Sequence, residues 1–215
     1  EFGRKRAIDQ SSCNKDMTCV KGFCPSFVTV LGAELRKPQI TGLDSSGLPN
    51  LPEPDLPGLE EPYGLLITGV GGTGVVTIGA LLGMAGHMDG RGVSVLDMTG
   101  LAQKYGAVVS HLRIAADPRQ IHAVRIAAGG ADLVLGCDLV VAASFDALAK
   151  ITRGKTTAVV NTHQSPTGEF TRNPDLAFPD AALRDAVSHA TGAENTAFVD
   201  ATAHAEALFG DSILS

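Results

Sequence analysis

The chain has 215 residues, a hydrophobic fraction of 44% and a formal net charge of −6. This length suffices for one ordinary domain with a smaller appendage, and the acidic balance excludes the electrostatic footprint of a nucleic-acid-binding protein. No apolar run approaches the ~20 residues needed to span a bilayer, and the chain begins with neither an initiator methionine nor a secretory pattern. We therefore expect an internal piece of a longer cytoplasmic protein, with no nucleic-acid or membrane partner.

The first segment, residues 1–37, carries three of the four cysteines: Cys13, Cys19 and Cys24. Thiolates at such short spacing are typical of either a zinc site or an iron–sulfur cluster, and a proline follows the third cysteine, as in bacterial ferredoxins. An odd number of local cysteines without a secretory signal argues against a disulfide. Because three thiolates do not complete a four-cysteine site, we expect the missing ligand before residue 1.

Composition divides the rest of the chain into a linker and a domain. Residues 38–62 contain six prolines, which exclude a regular helix or ladder and indicate a linker. Residues 63–215 alternate apolar strand-like runs with helical patterns, which predicts an α/β fold of the doubly wound, Rossmann-like type with a mostly parallel sheet. A small loop-rich cysteine segment, ferredoxin-like in its Cys–Pro feature, precedes it.

The predicted elements follow from these patterns in chain order. The predicted strands are Gly64–Val70, Gly92–Met98, Ala107–Ala115, Asp138–Ala143, Thr157–Asn161 and Ala197–Asp200. The predicted helices are Gly74–Met88, a short helix capped by Ser144 and ending at Lys150, Pro179–Ala190 and Thr202–Phe209. In the apolar run around Cys137 we interpret that cysteine as a small buried hydrophobe.

A glycine loop, residues 69–74, joins the first predicted strand to the first predicted helix. Gly69, Gly71 and Gly74 give the G-x-G-x-x-G spacing, with Gly72 and Thr73 between them. We expect Gly69 to permit the turn, Gly71 to let a phosphate approach the backbone, and Gly74 to let the helix pack on the strand. The helix N-terminus then offers free N–H groups to an anion. A turn that needs glycine for packing alone is the other interpretation.

Two further residues complete the candidate cofactor-binding set. Asp97 ends the second predicted strand, where an acidic residue can bind a ribose hydroxyl of a dinucleotide. Lys104 follows it on the ligand-binding edge of the sheet, either as a phosphate contact or as a solvated surface side chain.

Several stretches of the chain resemble the fused bacterial indolepyruvate ferredoxin oxidoreductases. Residues 8–27 (IDQSSCNKDMTCVKGFCPSF) are similar to the family's second cluster-binding segment, and residues 69–77 (GVGGTGVVT) to the opening of its gamma-type domain. Residues 96–104, 130–138 and 161–174 fit that domain as well. The joined order of the cysteine segment and the glycine motif is the specific feature.

This resemblance implies an activity larger than the chain. Family members oxidatively decarboxylate 2-oxoacids, here aryl pyruvates, to the acyl-CoA with thiamine diphosphate, and pass electrons through [4Fe–4S] clusters to ferredoxin. Cys13, Cys19 and Cys24 match cluster ligands. The thiamine-binding domains lie elsewhere in the enzyme, so we expect the isolated chain to be inactive and the glycine loop to face the thiamine or coenzyme A site across a domain interface.

The alternative hypothesis is a dinucleotide-binding module with a structural zinc. It relies on the glycine loop and Asp97 for the nucleotide and on the three N-terminal cysteines for the metal. It requires saturable binding of NAD(H) or NADP(H) by the domain. The oxidoreductase interpretation accounts for both parts of the chain and for the linker between them.

Overall fold

A computed structural model describes residues 31–32, 52–100, 106–165, 173 and 175–209. The chain divides into two compact units, one of residues 1–48 with 202–215 and one of residues 49–201. The first unit is described mainly by its helical residues 202–209, in which Thr202 and Ala205 are buried. The second unit contains a six-stranded sheet.

The strands are β1 (Tyr63–Val70), β2 (Gly92–Met98), β3 (Ala107–Ala115), β4 (Leu133–Gly136), β5 (Thr157–Asn161) and β6 (Thr196–Val199). The helices are α1 (Val75–Met88), α2 (Leu139–Ala142), α3 (Phe145–Leu148), α4 (Asp180–Thr191) and α5 (Ala201–Phe209), with short 3-10 turns at Pro118–Gln120 and Ala193–Asn195. Five of the six predicted strands and all four predicted helices are confirmed to within a few residues.

One predicted strand, Asp138–Ala143, is wrong. The strand ends at Gly136, and Leu139–Ala142 is a short helix instead. The Asp138 carboxylate accepts a hydrogen bond from Val141 N at 2.9 Å and thereby caps the first turn of this helix. An apolar run of this length cannot be divided between strand and helix by periodicity alone.

The sheet has the order β2-β3-β1-β4-β5-β6. The pairs β1–β4, β4–β5 and β5–β6 are parallel, while β3 is antiparallel to both of its neighbours, β1 and β2. The predicted α/β class with a mostly parallel sheet is confirmed. The inserted antiparallel strand separates β2 from β1, which are adjacent in an ordinary dinucleotide-binding unit.

The core lies on both faces of this sheet because successive strand residues point to opposite sides. On one face Leu66 packs with α2 and α4, which contribute Leu139 and Val187. On the other face Leu65 and its neighbours pack with Val75 of α1. The carboxyl ends of β1 and β4 therefore meet beside the start of α1, which is where ligands bind in open α/β sheets.

Among the described residues, no helix combines the length and the apolarity needed to cross a bilayer.

Candidate cofactor-binding site

The glycine loop has the backbone geometry of a turn that only glycine adopts at low cost. Gly72 has a φ angle of 104° and Gly74 one of 83°, both in the left-handed region. A Cβ on Gly74 would meet nothing within 4 Å, whereas a Cβ on Gly69 would overlap the Thr73 hydroxyl and lie 2.8 Å from Val75 Cγ2. The expected roles are therefore exchanged: Gly69 allows the helix to pack on the strand, and Gly74 allows the turn.

Hydrogen bonds within the loop and to the residue before β3 fix its shape. The Val70 carbonyl accepts from Thr73 N at 3.1 Å and from Thr73 Oγ1 at 2.8 Å. Gly71 N donates to the carbonyl of Gly106 at 2.8 Å, just before β3. The loop is thus folded back on the last residue of β1.

The N-terminus of α1 is left open to an anion. Its N-cap residue is Gly74, which has no side chain to cap the helix, and the first turn contains no acidic residue. The first intrahelical bond runs from Ile78 N to Gly74 O at 2.9 Å, so the N–H groups of the preceding turn have no helical acceptor. A pocket of about 280 Å³ opens there, lined by Val70, Gly72, Gly74, Val75, Val76, Thr77 and Val108.

This arrangement fits a phosphate group. Within the described part of the chain, the N–H groups of the first turn of α1 have no helical acceptor, and together with the positive end of the helix dipole they favour negative charge at this position. The open conformation at Gly72, which is exposed, leaves the loop backbone accessible. Among the described residues, the pocket is lined by glycines, valines and the Thr77 hydroxyl, without a histidine, cysteine or carboxylate, so this lining can bind and orient an anionic group.

Asp97 lies apart from the loop. It is exposed near the end of β2 and pairs with Ser110 of β3, which in turn pairs with Ile67 of β1. Two strand spacings, about 10 Å, therefore separate Asp97 from β1. The structure brings together Gly69, Gly71, Gly72, Thr73 and Gly74 but does not add Asp97 to them, and this weakens the dinucleotide hypothesis.

The remaining predicted site residues lie outside the described part of the chain. These are Lys104 and the three candidate cluster ligands Cys13, Cys19 and Cys24. Within the described ranges, no group of three or more His, Cys, Asp or Glu side chains is arranged to hold a metal ion.

Cys137 is a free thiol that is partly buried beside the loop. Burial, and then the neighbouring Asp138 carboxylate, raise the pKa of the Cys137 thiol to about 11, while a hydrogen bond with Thr73 acts in the opposite direction. The thiol is therefore protonated at neutral pH, as befits a buried side chain, and its hydrogen bond ties β4 to the glycine loop.

Asp138 is a residue of this site that the sequence analysis did not identify. Its carboxylate is fully buried and accepts from Val70 N at 2.6 Å as well as from Val141 N. An aspartate directly before an apolar run is a recognised helix N-cap, and that signal was available in the sequence. The bond to Val70, 68 residues away, was not.

Comparison with known proteins agrees with the resemblance found in the sequence. Residues 64–215 match the family described as pyruvate ferredoxin/flavodoxin oxidoreductase. The chain is 36% identical over 73 residues to indolepyruvate oxidoreductase subunit IorB of Thermococcus kodakarensis, a stretch that is 34% of this chain and 35% of that protein. The subunit of the same name from Pyrococcus horikoshii gives the same values. The matched stretch thus spans about 35% of the length of these curated relatives.

A solved structure, pyruvate oxidoreductase subunit PORC of Thermotoga maritima, is 18% identical, with a TM-score of 0.49 over 72% of this chain and 71% of that one. The family match, in contrast, covers well over half of the sequence. This chain therefore belongs to the pyruvate ferredoxin/flavodoxin oxidoreductase family.

Proposed function

We propose that this chain is the gamma-type part of a cytoplasmic indolepyruvate:ferredoxin oxidoreductase. The complete enzyme would convert an aryl 2-oxoacid and coenzyme A to the acyl-CoA and carbon dioxide, and two electrons would leave through [4Fe–4S] clusters to ferredoxin. Family membership and the two relatives named indolepyruvate oxidoreductase subunit support this assignment. The remaining partners are the thiamine-binding domains of the same enzyme.

The observation that carries the proposal within this chain is the open N-terminus of α1 behind the glycine loop. Both cofactors of the reaction, coenzyme A and thiamine diphosphate, carry a diphosphate group. We assign that group to the pocket lined by Gly72, Gly74 and Thr77. Bound thiamine diphosphate supplies the carbanion chemistry, whereas the residues of this chain bind and orient the diphosphate.

The cysteine segment would carry the electrons. We assign Cys13, Cys19 and Cys24 as cluster ligands, with Cys24 serving a second cluster as in two-cluster ferredoxins. The set requires at least one ligand from outside this sequence. Since the thiamine-binding domains are also elsewhere, the isolated chain would not turn over substrate.

The test is an anaerobic assay of the native-length protein that contains this segment. Indolepyruvate, coenzyme A, thiamine diphosphate and a low-potential viologen are supplied, and dye reduction is followed. We expect reduction that depends on both the 2-oxoacid and coenzyme A. The variant Cys19→Ser should lose iron and dye reduction, while Cys137→Ser, the same change at the cysteine beside the loop, should keep its iron.

The proposal is contradicted if the protein holds its clusters but fails to reduce the dye with every aryl and branched 2-oxoacid tested. Saturable binding of NAD(H) or NADP(H), together with zinc rather than iron on the cysteines, would favour the dinucleotide-binding alternative instead.

A further inference from the structure

Asp138 lies where the parallel pairing of β1 and β4 stops. The backbone ladder continues to Cys137, whose N–H donates to Thr68 O at 2.7 Å. At the next position the chain turns into α2, so no backbone carbonyl of β4 continues the ladder. The Asp138 carboxylate accepts from Val70 N at 2.6 Å in its place.

An aspartate carboxylate also accepts a backbone N–H of β1 at the opposite end of the β1–β4 pair. Asp132 Oδ2 accepts from Gly64 N at 2.8 Å, and Asp132 N donates to Gly64 O at 2.8 Å. Asp132 also forms an ion pair with Lys155 at 3.0 Å. The two aspartates are six residues apart in sequence, as are their two partners on β1, so each extends one end of the ladder. Only Asp138 is beside the glycine loop.

The bond from Val70 N matters because Val70 is the residue to which the loop is anchored. Its carbonyl accepts both hydrogen bonds from Thr73. The peptide groups on either side of Val70 are thus fixed, one by Asp138 and the other by Thr73. Asp138 also caps α2 through Val141 N, so one buried carboxylate ties the loop to the second helix.

Burial of this carboxylate is costly and is offset by its donors. Burial raises the pKa of Asp138 above its usual value, while hydrogen bonds from Val141 N, Val70 N and Val140 N act in the opposite direction. An asparagine would keep the shape, but its amide nitrogen cannot accept a hydrogen bond. Asp138→Asn therefore leaves one of the two N–H groups, at Val70 or Val141, without an acceptor.

We propose that Asp138 is the positioning residue of the glycine loop, and that it fixes the loop in the conformation that binds a cofactor diphosphate. The inference rests on the proposed function for the identity of the ligand. Asp138 acts through Val70 and does not line the pocket itself.

The experiment compares Asp138→Asn with Asp132→Asn in the native-length oxidoreductase. The two variants make the same chemical change at opposite ends of one strand pair. Initial rates of viologen reduction are measured as the coenzyme A concentration is varied. They are measured again as the thiamine diphosphate concentration is varied, with enzyme from which bound thiamine diphosphate has been removed. We expect Asp138→Asn to raise the KM of one of these cofactors about tenfold, the equivalent of one lost hydrogen bond, with kcat changed less than about threefold. The cofactor affected identifies the source of the diphosphate. Asp132→Asn should leave both KM values unchanged.

Deuterium uptake by the backbone provides a readout that does not need activity. We expect Asp138→Asn to speed exchange in peptides that cover residues 69–75, and Asp132→Asn to speed it only around residues 63–66. Asp138→Ala, which removes both acceptor oxygens, is measured beside Asp138→Asn. Unchanged uptake of the loop in both Asp138 variants, or an equal rise in KM in Asp138→Asn and Asp132→Asn, would overturn the positioning role. An enzyme without 2-oxoacid-dependent dye reduction would refute the proposed function instead, while the uptake comparison would still decide whether Asp138 holds the loop.

Discussion

The two faces of the sheet are packed by different means. On the α1 face, glycines meet the strands: a Cβ on Gly79 would lie 2.7 Å from Ser110 Oγ, and one on Gly83 2.7 Å from Val95 Cγ2. On the opposite face, large side chains such as Leu139 and Val187 fill the space between helices and sheet. The contact of α1 with the sheet is therefore sensitive to atoms that are added, whereas truncation of Leu139 or Val187 on the opposite face leaves a cavity.

The difference has a functional consequence at the start of α1. Close approach of the helix to the sheet brings its N-terminus against the carboxyl end of β1, where the glycine loop leaves. A helix held away by ordinary side chains would present its free N–H groups farther from that edge. The glycines of α1 thus position the same helix N-terminus at which we propose that the diphosphate binds.

The largest effect is expected from Leu139→Ala on the face packed by large side chains. Leu139 is fully buried, and truncation to alanine leaves a cavity that costs about 2–5 kcal/mol of unfolding free energy. The measurement is the urea midpoint at unchanged m-value. Leu81→Ala is the control, because Leu81 is 65% exposed in α1 and its loss should cost less than about 0.5 kcal/mol. Equal losses would mean that Leu139 is not a core residue.

On the α1 face we expect Gly69→Ala to destabilise by overpacking. The added methyl group would overlap Thr73 Oγ1 and lie 3.0 Å from Cys137 Cβ, which costs about 1–3 kcal/mol. Gly154→Ala separates this effect from backbone strain: its φ is 78°, and a Cβ there would meet nothing within 4 Å, so it should cost about 1–2 kcal/mol. Denaturant unfolding measures both. If Gly69→Ala were the milder change, the loop would have room that the structure does not show.

The sequence predicted the elements that their own residues determine. The apolar run of β1, the glycine loop and the helical pattern of α1 are local signals, and each is where it was expected. The antiparallel insertion of β3 between β1 and β2 depends on pairing between distant strands, which no local pattern encodes. Asp97 lies in β2 as predicted, but this insertion places it two strands away from β1.

The site shows the same limit. Residues of the glycine loop were identified from their spacing, whereas the bond between Asp138 and Val70 appears only when β1 and β4 are paired. The run from Leu133 to Ala142 was ambiguous because all of its residues except Asp138 are apolar or glycine, so periodicity could not separate strand from helix; Asp138, as the N-cap, marks the boundary between them.

A pH dependence is expected from His111, which is buried on the face opposite α1. Its Nδ1 accepts from Ile126 N at 3.3 Å, and burial, with smaller contributions from Arg125 and Lys150, lowers the pKa of His111 to about 4. The unfolded chain titrates near 6.5, so it binds the proton first as the pH falls. The free energy of unfolding is therefore not reduced by His111 above about pH 6.5, and it falls progressively as the pH is lowered from 6.5 towards 4.

His111→Asn should flatten this part of the stability curve, because asparagine retains an acceptor and does not titrate. Asp138, whose pKa is raised by burial, contributes with the opposite sign, so each variant is compared with the parent chain at every pH. His87→Asn is the control at an exposed position of α1. If the free energies of unfolding of the parent and of His111→Asn changed in parallel between pH 6.5 and 4, His111 would bind its proton as readily in the folded chain as in the unfolded chain.

The smallest effect is expected at Gly79 of α1. The substitution Gly79→Ala tests whether glycine is needed there because a methyl group would collide with Ser110, or because of the glycine backbone itself. A Cβ on Gly79 would lie 2.7 Å from Ser110 Oγ but 3.4 Å from Ser110 Cβ, an ordinary contact. Within the described part of the chain, Ser110 Oγ is buried without a hydrogen-bond partner, so Ser110→Ala removes the clashing atom and leaves no donor unpaired.

We expect Gly79→Ala to destabilise the parent. In the Ser110→Ala background it should instead stabilise by up to about 1 kcal/mol, the gain in helix propensity. The double-mutant cycle should give a coupling of about 1–2 kcal/mol. A coupling near zero would mean that α1 shifts to admit the methyl group, and that the helix N-terminus is not rigidly placed against the sheet.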